Sequence, residues 1–246
     1  MYQKAIHWLL DLFFPRRCVL CDRILPMMPG GQTKPVCPEC RDALPYIREP
    51  FCMKCGKPLR LEQKEYCGDC MRTKYSFTGG RAVFFYHGPM KESMYRFKYS
   101  GRREYASFFA REALRTQGRY LDTIRPDCIV PVPLYRKKQL KRGYNQAEDF
   151  AVALAHLSHA TVDTKLVRRT RNTLPMKGLS AADRKQNVRN AFSVDQKRLI
   201  KYDYQRILLV DDIFTTGSTI DAIANVLTRD LDRKVYFLCI CTGEGT

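Results

Sequence analysis

Two groups of residues in this 246-residue chain carry chemistry that their types and spacing make legible. The first is a set of eight cysteines in four pairs of identical inner spacing: Cys18/Cys21, Cys37/Cys40, Cys52/Cys55 and Cys67/Cys70. A two-residue gap lets both sulfurs of one turn reach the same ion, and two such turns supply the four soft thiolates of a tetrahedral zinc. Four pairs therefore make two sites. The simplest grouping is consecutive, with Cys18, Cys21, Cys37 and Cys40 at one site and Cys52, Cys55, Cys67 and Cys70 at the other; an interleaved grouping satisfies the same spacing. Disulfides need an oxidising compartment, and a redox dithiol needs a single C-x2-C beside a helix, not four in a row. Zinc is the expected occupant, in a structural role, because an all-cysteine site leaves no open coordination position. Cys128, Cys239 and Cys241 fall in apolar stretches and are expected as small buried hydrophobes.

The second group lies in Ile207–Ile220, ILLVDDIFTTGSTI. Its four leading apolar residues read as a buried strand, and ligands of open parallel sheets collect at the carboxyl ends of such strands. Asp211 and Asp212 follow at that end. Their carboxylates can accept hydrogen bonds from two ribose hydroxyls, or hold Mg2+ through water. Thr215, Thr216, Gly217, Ser218 and Thr219 then lead into a helix. Free N–H groups at a helix start, several hydroxyls and a glycine that admits close approach make a phosphate cradle. The order of parts matches the order of groups on a ribose 5-phosphate. Asp and Thr also serve as turn and cap residues in an ordinary strand–turn–helix, but the whole series in one frame favours the ligand. No Gly-Lys-Ser/Thr loop competes with it for phosphate.

The elements that must position these residues can be read from periodicity. Strands are expected at Arg81–His87, Cys128–Val132, Ile207–Val210 and Val235–Ile240. Helices are expected at Met90–Phe97, Tyr105–Leu114, Asn145–Leu157 and Ser218–Leu227. Strands alternating with helices predict an α/β fold with a mainly parallel sheet. Residues 16–75 are rich in Cys, Pro and Gly with little helical period, so that segment needs a staple. Residues 5–14 read as a short amphipathic helix that packs on the protein or meets a partner. A domain boundary is expected near residues 74–79.

Hydrophobic residues make up 45% of the chain, enough for a packed core. The apolar run Ile6–Phe14 is broken by Asp11 and falls short of the roughly 18–20 residues of a membrane span. It also lacks a small-residue cleavage site, so a cytoplasmic protein with no membrane span is expected. The formal net charge is +18, divided as +5 before residue 75 and +13 after it. Each four-thiolate zinc contributes about −2, leaving roughly +14. A basic surface of this size suits nucleic acid, anionic lipid or phosphorylated ligands, or is simply solvated. The four histidines show no ligand spacing and receive no role.

The Ile207–Ile220 pattern resembles the PRPP-binding motif of the type I phosphoribosyltransferases. Three further stretches narrow the resemblance: Phe97-Lys98-Tyr99-Ser100-Gly101; Val130–Arg142 running into Gly143-Tyr144-Asn145-Gln146-Ala147-Glu148; and Arg168–Phe192 with Gly178-Leu179-Ser180, Arg184, Asn187 and Ala191-Phe192. With the cysteine pairs in front, the chain is similar over essentially its whole length to the ComF family of competence proteins, ComFC-like. The resemblance implies a small double zinc ribbon over residues 1–75, followed by a type I phosphoribosyltransferase fold over 76–246. It implies PRPP or a related ribose phosphate as ligand, with Mg2+, and a part in DNA uptake during natural transformation. Single-stranded DNA and a helicase-like competence partner are the implied partners. Two other functions fit the same site: an active phosphoribosyltransferase (a glycosyltransferase) joining a nitrogen acceptor to PRPP with pyrophosphate release, and a PRPP-sensing regulator. No residue is assigned to catalysis.

By position in such transferases, the loop near Leu134–Lys138, with Arg136 and Lys137, would contact pyrophosphate. Thr170–Lys185, with Arg171, Lys177 and Arg184, would close over the ligand. Arg142 would bind a phosphate and Tyr144 would stack on a base. Asn145 would either join that contact or cap the helix that follows. The chain departs from the family at Pro175-Met176-Lys177, where a Pro-Gln pair is usual, and a thioether there makes no equivalent hydrogen bond.

Overall fold

The computed structural model describes residues 15–26, 34–59, 65–171, 190–229 and 232–243. The expected helix at 5–14, Arg184 and nearly all of the Thr170–Lys185 loop lie outside them. In chain order the elements are α1 (Pro38–Asp42), α2 (Gly68–Arg72), β1 (Gly79–Phe85), α3 (Pro89–Tyr99), α4 (Tyr105–Ile124), β2 (Cys128–Pro131), α5 (Arg136–Arg142), α6 (Gln146–Ser158), β3 (Val167–Arg169), β4 (Phe192–Val194), α7 (Gln196–Tyr202), β5 (Arg206–Phe214), α8 (Ser218–Thr228) and β6 (Lys234–Thr242).

Strands β1, β6, β5 and β2 form a sheet in that spatial order, with every neighbouring pair parallel. Helices cover both faces, so β5 reads as the continuous apolar run Ile207–Val210, all four residues fully buried. Alternation still sorts the side chains. Leu208, Val210, Leu238 and Ile240 face α3, α4 and α6, where Met94, Phe97, Phe109, Phe150 and Leu154 close one core. Ile207, Leu209, Phe237 and Cys239 face α8, α7 and the β3–β4 hairpin, closing a second core with Ile223, Leu227, Leu199 and Phe192. The expected parallel sheet flanked by helices is therefore what the chain builds.

The two cysteine modules divide between these cores. Cys18, Val19, Leu20 and Cys37 join the first, and Cys52, Cys55 and Cys67 join the second. Pro45–Ile47 runs antiparallel along the outer side of β1, with Ile47 N–H donating to Val83 O at 3.1 Å and Phe85 N–H to Pro45 O at 2.7 Å. On the other side Ile129 N–H reaches Thr161 O at 2.8 Å. Both edges of the sheet are thus occupied, which removes the exposed ladder groups that invite aggregation.

Several elements differ from the periodicity reading, three of them for reasons that can be named. Strand β1 starts at Gly79, two residues early, because the bare backbone of Gly80 lies against the Phe237 ring; a Cβ there would fall 2.0 Å from it. Helix α4 continues ten residues past Leu114, since Leu121 and Ile124 keep the inward face apolar beyond the polar stretch around Gly118. Of the segment 134–138, expected as a loop, Arg136 to Lys138 become the first turn of α5.

Candidate functional site

Pairing between β5 and β2 ends at Val210↔Pro131, with one further bond from Val132 N–H to Val210 O, whereas pairing between β5 and β6 continues to Phe214↔Thr242. The strand therefore opens on one side where its sequence changes from apolar to acidic. Asp211 and Asp212 sit half-buried at that opening. Asp212 is held by Lys98 from the last turn of α3, Nζ to Oδ2 at 3.0 Å. Burial pulls the Lys98 ammonium down, but the carboxylates of Asp212 and Asp211 outweigh it and leave its pKa above the usual value. Asp211 accepts the Asp212 backbone N–H at 2.8 Å. Its burial and the neighbouring Asp212 carboxylate push its pKa up to about 7, against the opposing pull of that N–H, Lys98 and Arg169. Two carboxylates in adjacent positions, one clamped and one strained by its neighbour, are arranged to accept donors or a cation.

The cradle follows directly. Gly217 takes φ +77 and ψ −3 as the N-cap of α8, which turns the chain so that the helix start faces the opening. The hydroxyls of Thr216 and Ser218 lie 2.8 Å apart, and Thr215 is exposed beside them. Three contacts fix this turn from outside. The Tyr75 hydroxyl donates to Thr216 O at 2.9 Å, Ser76 N–H to Asp221 Oδ1 at 2.6 Å, and Thr242 Oγ1 to Phe214 O at 3.0 Å. Beneath it the Phe214 ring stacks on Phe237 at 4.4 Å, with Phe77 edge-on to both. Asp211, Asp212, Thr215, Thr216, Gly217, Ser218 and Thr219 are thereby brought to one end of one strand.

The basic residues sort differently from their sequence order. Arg136 and Lys137 lie exposed on the first turn of α5, while Lys138, half-buried, is lowered in pKa first by burial and then by the charges of Arg169 and Arg142. Arg169, on β3, is itself lowered by burial and supported by Asp211. A cationic cluster of Lys138, Arg142 and Arg169 thus adjoins the acids. Arg142 donates to Gln146 Oε1 and lies 4.8 Å from the centre of the Tyr99 ring. One expectation is corrected here, and one choice between two readings is decided. Tyr144 is only 8% exposed, its hydroxyl donates to Phe97 O at 2.5 Å and Arg103 lies over its ring, so it offers no open face to a base. Of the two readings of Asn145 the structure takes the cap: the residue is 6% exposed, Oδ1 accepts from Ala147 N–H at 3.2 Å at the start of α6, and Nδ2 donates to Val132 O at 3.1 Å. Both residues hold the β2–α6 connection in shape.

The cysteines resolve into two clusters, Cys18/Cys21/Cys37/Cys40 and Cys52/Cys55/Cys67/Cys70, each with all sulfurs within 4.8 Å of one another. The consecutive grouping holds and the interleaved one does not. The Cys21–Cys37 and Cys55–Cys67 sulfurs are 3.8 and 3.6 Å apart. Tetrahedral Zn–S bonds of about 2.3 Å require sulfurs about 3.8 Å apart, so the donor sets fit zinc. The modules are copies of one design. Cys18 N–H to Arg23 O and Asp22 N–H to Cys18 O recur as Cys52 N–H to Lys57 O and Gly56 N–H to Cys52 O. Cys37 and Cys67 each precede a five-residue helix, with ψ 159 in both.

A double zinc ribbon domain model matches residues 9–71. Competence protein F of Haemophilus influenzae is 32% identical over 220 residues, covering 88% of this chain and 93% of its own length. The chain belongs to the ComF family. Other members include the DNA utilization protein YhgH of Escherichia coli, 32% identical over 237 residues (94% of this chain, 98% of that protein), and competence protein ComFC of Bacillus subtilis, 27% identical over 231 residues (85% and 88%). Among the described residues of this ComF chain, no helix is long and apolar enough to cross a membrane. Sequence reasoning gave no role to Lys98, Arg169 or Tyr75, whereas Lys138 ends the segment it placed at the pyrophosphate. For Lys98 a signal existed: it ends an amphipathic helix just before Ser100-Gly101. Arg169 had none, because a three-residue strand carries too short a pattern to read.

Proposed function

We propose that this ComF-family chain binds PRPP or a related ribose phosphate at Asp211, Asp212 and Thr215–Thr219, and takes part in DNA uptake during natural transformation by contacting single-stranded DNA. The observation that carries the first half is the one-sided opening of β5, which delivers two carboxylates and a helix start to a single point. Asp211 and Asp212 would accept the ribose hydroxyls, with Lys98 holding Asp212 in place beforehand. The N–H groups at the start of α8 and the hydroxyls of Thr215, Thr216, Ser218 and Thr219 would bind the 5-phosphate. Arg169, within electrostatic range of Asp211, and Lys138 beside Arg169 would balance a pyrophosphate. Mg2+ held through water by the two carboxylates would screen the charge of that group.

The names of the relatives, competence and DNA utilization proteins, support the second half, as does the charge of +13 beyond residue 75. Domains at 1–75 and 76–246 are proposed as ribbon module and ligand-binding module. Calorimetry with PRPP and Mg2+ tests the site. Saturable binding by the parent and its loss in Asp211→Asn/Asp212→Asn are expected. A parent that gives no binding refutes the reading.

A further inference from the structure

Helix α3 buries Met90, Ser93, Met94 and Phe97 and should present a polar face to water. That face carries Lys91 and Glu92, but also two tyrosines. Tyr95 and Tyr99, four residues apart on one face, are 59% and 60% exposed, with ring centres 5.0 Å apart. Single exposed aromatics are unremarkable, but a contiguous pair on an otherwise amphipathic helix calls for a cause. The pair is set in a charged frame. The Arg142 guanidinium lies over Tyr99 at 4.8 Å, and Gln146, which accepts from Arg142, donates to Lys98 O at 3.4 Å. Lys98 reaches Asp212 from the neighbouring position, and Tyr86, just past the end of β1, lies within electrostatic range of both Tyr99 and Asp212. The rings therefore flank the carboxyl end of the sheet where the acids and cradle sit.

We propose that Tyr95, Tyr99 and Arg142 form a stacking platform for the bases of single-stranded DNA beside the phosphate cradle. Aromatic faces next to an arginine in a positive field are the means by which proteins hold a single strand without reading its sequence. The openness of the platform decides between a strand and a small acceptor base. Small-ligand sites enclose most of their ligand, whereas rings with more than half their surface in water can serve a strand that passes over them. The inference rests on the single-strand reading above. Affinity of the unmodified protein for a strand tests that reading, and the ratio of variant to parent affinity tests the platform.

The experiment is fluorescence anisotropy with labelled oligothymidylate, oligouridylate and an abasic strand of equal length, over a salt series. Tyr95→Ala/Tyr99→Ala is expected to bind oligothymidylate about tenfold or more weakly, as loss of a stacked base predicts. Its slope of log affinity against log salt should match the parent, because no phosphate contact is lost. Tyr95→Phe/Tyr99→Phe keeps the ring faces and should bind as the parent does, and the abasic strand should bind all three proteins alike. Equal affinity of the alanine variant and the parent for oligothymidylate overturns the proposal. So does an alanine variant that weakens equally toward the abasic strand. Tighter binding of oligouridylate than of oligothymidylate by the parent overturns the assignment to DNA.

Discussion

Replacing Gly217 by alanine separates two demands that the cradle makes on one residue. The backbone stands at φ +77, where an L side chain costs about 1–2 kcal/mol. A Cβ at this position also meets Phe214 Cζ at 3.0 Å, Phe214 Cε2 at 3.1 Å and Tyr75 Cε1 at 3.4 Å. Neither ring is free to retreat: Phe214 is stacked on the buried Phe237, and Tyr75 is fixed by its hydroxyl on Thr216 O. Overpacking of this kind adds about 1–3 kcal/mol. Gly217→Ala should therefore destabilise by about 2–5 kcal/mol. Gly143→Ala is the matched control, since φ is +84 but nothing lies within 4 Å of its Cβ, so only the backbone cost of about 1–2 kcal/mol applies. Urea unfolding of both variants, with m unchanged, measures the difference. Gly217→Ala should also lose PRPP binding by calorimetry, because the rings that must move are those that hold Thr216 and the helix start. Equal destabilisation of the two variants, to within about 0.5 kcal/mol, would refute the claim that the cradle is packed against its supporting rings.

Two further outcomes follow from the site and the ribbons. Native mass spectrometry should find two zinc ions per chain in the parent and one in Cys52→Ser, and metal release should accompany acidification because the ligands bind only as thiolates; full zinc occupancy in Cys52→Ser would contradict the four-cysteine zinc sites. Asp211→Asn should stabilise the ligand-free protein in a pH-dependent way. An unfolded aspartate titrates near 3.9 and Asp211 in the fold near 7, so ionising it opposes folding across that interval. The variant should match the parent at acid pH below both values, gain on it as pH rises between them, and keep the full gain above 7. Thermal melts at a series of pH values read this directly, and a variant less stable than the parent at pH 8 refutes it.

Much of this arrangement was legible in the sequence wherever a local pattern sufficed. Ile207–Val210 announced a strand covered on both faces, and the acids and hydroxyls after it announced their own position at its end. The paired cysteines announced zinc sites, because the ligand spacing is a property of one short turn; their grouping needed three-dimensional distances. What stayed hidden was held by partners remote in sequence. Lys98 meets Asp212 across more than a hundred residues, and Arg169 reaches Asp211 from a strand of three residues. Tyr144 misled in the other direction. It follows a basic run, which reads as a base contact, yet its hydroxyl ties the chain to Phe97 O, while Asn145 takes the capping role that was one of its two readings and also bonds Val132 O.

The placement of the ribbons gives the metal sites a consequence beyond holding their own loops. A ribbon of some thirty residues buries too little surface to fold alone, and here each one completes a different face of the sheet. The first meets the helix that carries Lys98: Arg96 of α3 donates to Leu20 O, while Asp22 accepts from Tyr105 at 3.1 Å and pairs with Arg102 at 3.4 Å. The second meets the cradle: the nearly buried Lys57 pairs with Asp69 at 2.9 Å and lies over Phe214 at 5.8 Å, and the chain leaving Cys70 delivers Tyr75 to Thr216. Zinc binding is folding free energy for such modules. Part of that free energy is therefore spent on the two flanks of the Asp211–Thr219 segment, one holding the cation that clamps Asp212 and the other holding the turn before α8. This gives four-cysteine modules with no open coordination position a reason to stand in front of the sheet in one chain: each module braces one side of the opening from which the acids emerge.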